Sequence, residues 1–190
     1  LEPYVPGKQI NDSDYLKLNT NENPFGPSPR VKETIIKFLE NSDSLLRLYP
    51  EPESDSLRKV IAKRFAIKSE QVFIGNGSDE VLSLCFLAFF AGRGYLSFPE
   101  LTYSFYPSIA KLFQIPCSTF QLKKDFSLDL SDINPDSESV IFPNPNAITG
   151  IALSIDAIDR FVRENPDKLI IIDEAYADFS KGSCVSLINN

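Results

Sequence analysis

LIIIDEAYADF, residues 169–179, decides the fold. Four large apolar residues run from 169 to 172 without alternation and stop at two adjacent acids, Asp173 and Glu174. A strand that is apolar at every position is normally covered on both faces, as in a parallel sheet. Residues just past its C-terminal end face the crevice where open α/β sheets bind ligands. A carboxylate there is costly unless a cation or strong hydrogen-bond donors meet it. No neighbour in the sequence supplies that cation, so Asp173 is a candidate ligand contact. The plainer alternative is that both acids only cap and solvate the strand end. Tyr176 follows closely enough for its phenol to reach the same ligand once the strand turns.

Upstream, the chain alternates. Strands are expected over 71–74, 95–98, 116–122 and 140–142, and helices over 78–91, 103–112 and 155–163. Strands separated by helices imply parallel βαβ units, an α/β fold with a parallel-rich sheet covered by helices. Before them, the first thirty residues read as irregular and rich in Asn and Pro. A helix follows over 29–40, with Val31, Ile35, Ile36 and Leu39 at helical spacing. After a proline-broken loop, LYPEPESDSL, a second helix covers 54–65, with Ser54 and Asp55 as its N-terminal signal. The acidic, serine-rich run 125–139 reads as a long surface connection. The alternation breaks off after the last strand, and the sequence has no methionine, even at position 1. That is the composition expected of a truncated chain, a segment of a longer domain.

Composition narrows the function. Hydrophobic residues make up 43% and charged residues 24%, as in soluble globular proteins. No apolar run approaches the roughly 20 residues of a membrane helix, and no leader pattern opens the chain, so neither membrane nor secretion is expected. A net charge of −7 argues against nucleic-acid binding. Three widely spaced cysteines, Cys85, Cys117 and Cys184, fit a reducing compartment, the cytoplasm, and no thiolate metal site. With no histidine, Ser-His-Asp and Cys-His chemistry and imidazole-ligated zinc are excluded within these residues.

Three further strand ends carry ligand-type groups. In VFIGNGSDEVLSLCFLAFF, residues 72–90, a strand runs through Gly75-Asn76-Gly77 into a helix opened by Ser78-Asp79-Glu80. Strand, glycine turn and helix N-terminus form a ready anion seat, since first-turn N–H groups lack intrahelical partners. The stretch matches neither G-x-G-x-x-G nor G-x-x-x-x-G-K-[ST]. By itself it equally suits an ordinary cap, with Ser78 on the N–H groups. VIFPNPNAITG, residues 140–150, ends a strand in two asparagines that can donate to a ligand oxygen, or that merely turn the chain. ELTYSFYPS, residues 100–108, is an aromatic cluster of core type, of which Tyr103, nearest the strand end, is placed to lie flat on a planar ligand. All four ends belong on one edge of a parallel sheet.

NTNENPFGPSP, LYPEP, GNGSDEVL, TYSFYP, FPNPNAITG and IIIDEAYADF together resemble the large family of pyridoxal-phosphate-dependent aminotransferases, and within it the histidinol-phosphate branch. The resemblance covers nearly the whole chain. It implies a first part of the large domain over 51–190, preceded by an arm and first helix over 1–50 that serve substrate and dimer contacts. It implies pyridoxal 5′-phosphate with its phosphate on Gly77, Ser78 and Asp79. Tyr103 would stack on the ring, Asn146 and Tyr176 would contact its phenolic oxygen, and Asp173 would pair with the ring nitrogen. Tyr49 would reach the phosphate of the other subunit, implying a homodimer, and Asn21, Glu22 and Asn23 would lie near substrate. The implied reaction takes an amino group from L-histidinol phosphate to the 2-oxo acid 2-oxoglutarate, in histidine biosynthesis.

Two features depart from the pattern. Ile148 stands where the family commonly has proline, and Ala147 where it often has asparagine; proline there fixes the turn that aims Asn146. The Schiff-base lysine is expected beyond residue 190. Lys181 follows Asp173 too closely and reads as a surface lysine, so the segment alone is expected to be inactive. Other readings are a related amino-acid aminotransferase, a decarboxylase of the same fold, or a non-catalytic α/β module that keeps a phosphate seat.

Overall fold

The computed structural model describes residues 7–8, 14–40, 42 and 45–189. The irregular opening expected from the sequence extends over residues 1–6 and 9–13, which lie outside the described residues. The chain divides into two units, Leu1–Ser54 and Asp55–Asn190.

In the first unit, helix α1 spans Pro29–Glu40, the expected bounds. Proline at its first position has a fixed φ that suits a helix start. Its stripe of Val31, Ile35, Ile36 and Leu39 is exposed.

The second unit begins with α2, Asp55–Phe65. Ser54 stands at φ 52°, in the left-handed region, rather than in the extended conformation usual for an N-cap. Next come α3, Ser78–Cys85, β1, Leu96–Pro99, and α4, Phe105–Leu112. They are followed by β2, Cys117–Phe120, β3, Ser139–Pro143, α5, Ile155–Glu164, and β4, Leu169–Asp173. A π-helical turn, Phe86–Phe90, continues α3. The four strands form one all-parallel sheet in the order β2-β1-β3-β4.

Two expectations are corrected. Residues 71–74 are not a strand: a 3₁₀ turn, Ser69–Gln71, precedes Val72, whose backbone is extended (φ −114°, ψ 122°). Extension becomes a strand only through a ladder partner, and none runs beside it among the described residues. The run 125–139 is more than a surface connection. Leu122 bridges Leu128, Leu130–Asp132 form a 3₁₀ turn, and Leu128 and Ile133 are buried. Two apolar side chains in a polar run are enough to anchor it.

Strand alternation builds three layers. Leu96 and Phe98 of β1 and Ile141 of β3 pack with Leu82, Phe86 and Phe90 and with Tyr106, Ile109 and Ala110 of α4. On the opposite face, Val140 and Phe142 pack with Ile158 and Phe161 of α5 and with Leu128, Ile133 and Cys184. In β4, Leu169 and Ile171 join the first cluster, Ile170 and Ile172 the second. The unbroken apolar run is therefore covered on both faces, as expected, yet every position stays half-buried, because among the described residues only β3 flanks the strand. The same alternation puts Asp173, two residues after Ile171, on the α3–α4 side.

Candidate functional site

The C-terminal ends of β1, β3 and β4 lie along one edge. Pro143 pairs with Asp173 in the ladder, and the Asn144 N–H donates to the Asp173 carbonyl at 2.8 Å. The Asn146 amide reaches across to donate to the Leu101 carbonyl, just past β1, at 2.9 Å.

The turn into α3 is built by glycines. A Cβ at Gly75 would lie 2.6 Å from Val81 Cγ2, so a larger residue would have to displace that side chain. Gly77 has φ 84°, a conformation side chains disfavour, and a Cβ there would meet nothing within 4 Å. Gly77 is itself the N-cap, with no side chain to offer, so the ordinary cap by Ser78 is not made. The first N–H groups of α3 thus open onto an exposed face. The acids beside them are engaged elsewhere. Glu80 accepts from the Asn76 N–H at 2.5 Å, and Asp79 accepts from the Tyr103 hydroxyl at 2.8 Å.

From Asp79 a continuous path leads to Asp173. The half-buried Tyr103 ring meets Tyr106 edge to face, with centroids 6.1 Å apart. The Tyr106 hydroxyl donates to Asp173 Oδ2 at 2.6 Å. Burial first, then the Asp173 charge, push the Tyr106 phenol far above its ordinary value of 10.0, so it stays protonated. Asp173 Oδ1 accepts from the Ala175 N–H at 3.1 Å. Asp173 is half-buried and forms no ion pair among the described residues.

The two adjacent acids therefore divide their work. Glu174 turns the other way and clamps the 183–184 turn, accepting from Cys184 N at 2.6 Å and Ser183 Oγ at 2.5 Å. Burial, and secondarily the Glu174 charge, raise the Cys184 thiol to about 12.

Asn146 is 2% exposed, and its Oδ1 accepts from the Ile148 N–H at 2.9 Å. A backbone N–H that proline lacks thus holds the asparagine in place. Next to Leu101, the buried Thr102 hydroxyl has no hydrogen-bond partner among the described residues. Tyr176, half-buried, begins the turn Ala177–Phe179.

Gly77, Ser78, Asp79, Tyr103, Asn146, Asp173 and Tyr176 all belong to the second unit; Asn21, Glu22, Asn23 and Tyr49 belong to the first. There Glu22 pairs with Lys17 at 2.6 Å, Asn23 Oδ1 accepts from the Phe25 N–H at 3.0 Å, Asn21 has φ 51°, and Tyr49 is fully exposed. Lys181 is exposed. Sequence reasoning missed Tyr106. Its signal was a tyrosine among apolar helix positions, whose hydroxyl needs a partner when buried.

These groups suit a ligand with an anionic end for the α3 N–H groups and a protonated nitrogen for Asp173, with a flat body against Tyr103. The family described as Aminotransferase class I and II matches residues 13–190. Histidinol-phosphate aminotransferase of Acinetobacter baumannii (strain AYE) is 48% identical over 189 residues, covering 100% of this chain and 52% of that protein. The chain thus spans about half the length of the curated relatives it matches. A solved putative histidinol-phosphate aminotransferase from Erwinia carotovora atroseptica superposes with TM-score 0.77 at 24% identity, over 90% of this chain and 51% of that one. The enzyme of that name from Sinorhizobium meliloti, solved in complex with pyridoxal-5′-phosphate, gives 0.74 at 20%, over 84% and 44%. Both structures share the fold. Among the described residues, no helix is long and apolar enough to cross a membrane.

Proposed function

Because this chain belongs to the class I and II aminotransferases, we propose that the whole protein transfers an amino group from L-histidinol phosphate to 2-oxoglutarate, using pyridoxal 5′-phosphate. One observation carries the reading: the path from Asp79 through Tyr103 and Tyr106 to Asp173 joins an open helix N-terminus to a carboxylate that has no counter-ion among the described residues. The choice of amino donor is supported by similarity along the full chain to enzymes of that name.

The residues present fit the cofactor. Gly77, Ser78 and Asp79 would hold its phosphate through backbone N–H groups at the positive end of α3. Tyr103 would lie against its ring, and Asn146 and Tyr176 would contact the phenolic oxygen. The Asn146 amide has a second N–H besides the one given to Leu101. Asp173 would hold a proton on the ring nitrogen, since a neighbouring anion favours the charged form. Bound there, the cofactor supplies a sink for the electrons left when a substrate α-proton departs. That cation is the partner Asp173 lacks among the described residues.

Residues 1–50 would act as the substrate and dimer arm, with Asn21, Glu22 and Asn23 near the amino donor. Tyr49 would reach the phosphate bound by the other subunit of a homodimer. The lysine that takes and returns the α-proton would come from outside residues 1–190. A cytoplasmic location accompanies this reading.

The test is glutamate formation from 2-oxoglutarate by the whole protein, with L-histidinol phosphate as donor. Turnover with aromatic amino acids alone would make it a sibling aminotransferase, and release of carbon dioxide a decarboxylase. Failure to bind pyridoxal phosphate at all would sink the reading.

A further inference from the structure

We propose that Tyr106 is a positioning residue for this reaction: its hydroxyl fixes the Asp173 carboxylate and, by donating to it, stabilises its charged form, so that a proton shared with the cofactor's ring nitrogen stays on the nitrogen. The inference rests on the role given to Asp173 above.

Tyr106 is fully buried, and its ring is held by Phe86 and Phe98, each at 6.2 Å, and by Tyr103 at 6.1 Å. The hydroxyl cannot swing away from Asp173 Oδ2, 2.6 Å distant. An ionised carboxylate only accepts, so the phenol must donate. Charge-assisted bonds of this length are the stronger kind. Donation to a carboxylate lowers its affinity for a proton.

The consequence is a competition between two bases for one proton. With the phenol in place, its donated hydrogen bond favours the pair of carboxylate and protonated ring. Without it, that preference is lost and the proton moves toward oxygen, leaving two neutral groups and a weaker electron sink. The ionisable groups linked to Asp173 are Tyr106 from α4, Tyr103 and through it Asp79 of α3, and Glu174 on its own loop.

Tyr106→Phe in the whole protein keeps the ring and its packing and removes only the donor. In the cofactor-free protein at fixed neutral pH, the Asp173 carboxyl carbon-13 resonance should move from its wild-type position once the donated hydrogen bond is gone. With nitrogen-15-labelled pyridoxal phosphate bound at fixed pH, the ring-nitrogen resonance should move toward that of the unprotonated ring. A merely structural Tyr106 would lower the thermal midpoint and leave both resonances unmoved, and that result overturns the proposal. Should Tyr106→Phe fail to fold, fluorotyrosine at position 106, a stronger donor of nearly equal size, should instead move the Asp173 carboxyl resonance from its wild-type position; no change would again overturn it. Failure of the wild type to bind pyridoxal phosphate refutes the functional reading and the ring-nitrogen half with it, and the cofactor-free carboxyl resonance then decides the carboxylate half.

Discussion

The Tyr103 hydroxyl donates to Asp79 Oδ1 at 2.8 Å, tying the loop after β1 to the first turn of α3. The bond occupies a carboxylate that would otherwise face the same N–H groups a phosphate needs. Tyr103→Phe frees that charge while keeping the ring, and Tyr103→Ala removes both. Loss of one exposed hydrogen bond is worth about 1 kcal/mol, so pyridoxal-phosphate affinity should fall about fivefold in the first variant. It should fall further in the second, where the flat contact is lost as well. Equal affinities for the two variants, measured by equilibrium dialysis, would remove Tyr103 from the ring face.

Asp173→Asn separates charge from shape. The amide oxygen still accepts from Tyr106, but the amide NH2 then faces the Ala175 N–H in place of an acceptor, so stability should fall by about 1 kcal/mol while the fold is kept. The anion that favours a protonated ring is gone, and turnover of the whole protein should drop by about two orders of magnitude or more, the scale of losing one preorganised electrostatic group. Bound cofactor should persist. Near-normal turnover with cofactor bound would deny Asp173 its role.

Glu174 predicts the opposite pattern from its neighbour. Glu174→Ala leaves the Cys184 N–H and the Ser183 hydroxyl without their acceptor. An orphaned polar group costs about 1–3 kcal/mol, so the denaturation midpoint should fall while the cofactor affinity of the folded fraction holds. A variant that keeps its stability and loses cofactor would place Glu174 in the site instead.

How far the sequence reached follows from what each signal depends on. The four paired strands and five helices were readable because apolar runs and helical spacing are local. Asp173 was readable because a carboxylate after an unbroken apolar run is anomalous in itself. The strand expected at 71–74 was not, because pairing depends on a neighbour. Tyr106 was hidden in an aromatic cluster whose ordinary fate is the core, and its partner lies 67 positions away. Leu128 and Ile133 were hidden by the polar residues around them. Glu174 read as half of an acidic pair, yet alternation sends it to the opposite face from Asp173.

Alkaline pH should destabilise the fold over a defined window. The Cys184 thiol has an ordinary value of 9.0 and is raised to about 12 by burial and then by Glu174. Below 9 both folded and unfolded chains keep the proton, and the group contributes nothing. Between about 9 and 12 the unfolded chain releases the proton first, so stability falls as pH rises, then levels off above the folded value. Tyr106, raised by burial and Asp173, acts in the same sense from about pH 10 upward. Cys184→Ser should shrink the loss between pH 9 and 10, before Tyr106 contributes. An unchanged slope in urea denaturation across that interval would show that the thiol does not titrate on unfolding.

Ile148→Pro tests how the asparagine turn is held. The change removes the N–H that donates to Asn146 Oδ1, a loss of about 1 kcal/mol. It also stiffens the unfolded chain, a gain of about 0.4–1 kcal/mol. The side chain is 61% exposed, so little apolar burial is forfeited. These terms nearly cancel, and the denaturation midpoint should move little. The Asn146 amide, however, loses one of its two anchors and should swing more freely about the bond to Leu101. Pyridoxal-phosphate affinity should then drop a few-fold at unchanged stability. A rise in affinity would mean that the proline ring aims Asn146 better than the Ile148 N–H does, and that the hydrogen bond here is a substitute inferior to the family's usual turn.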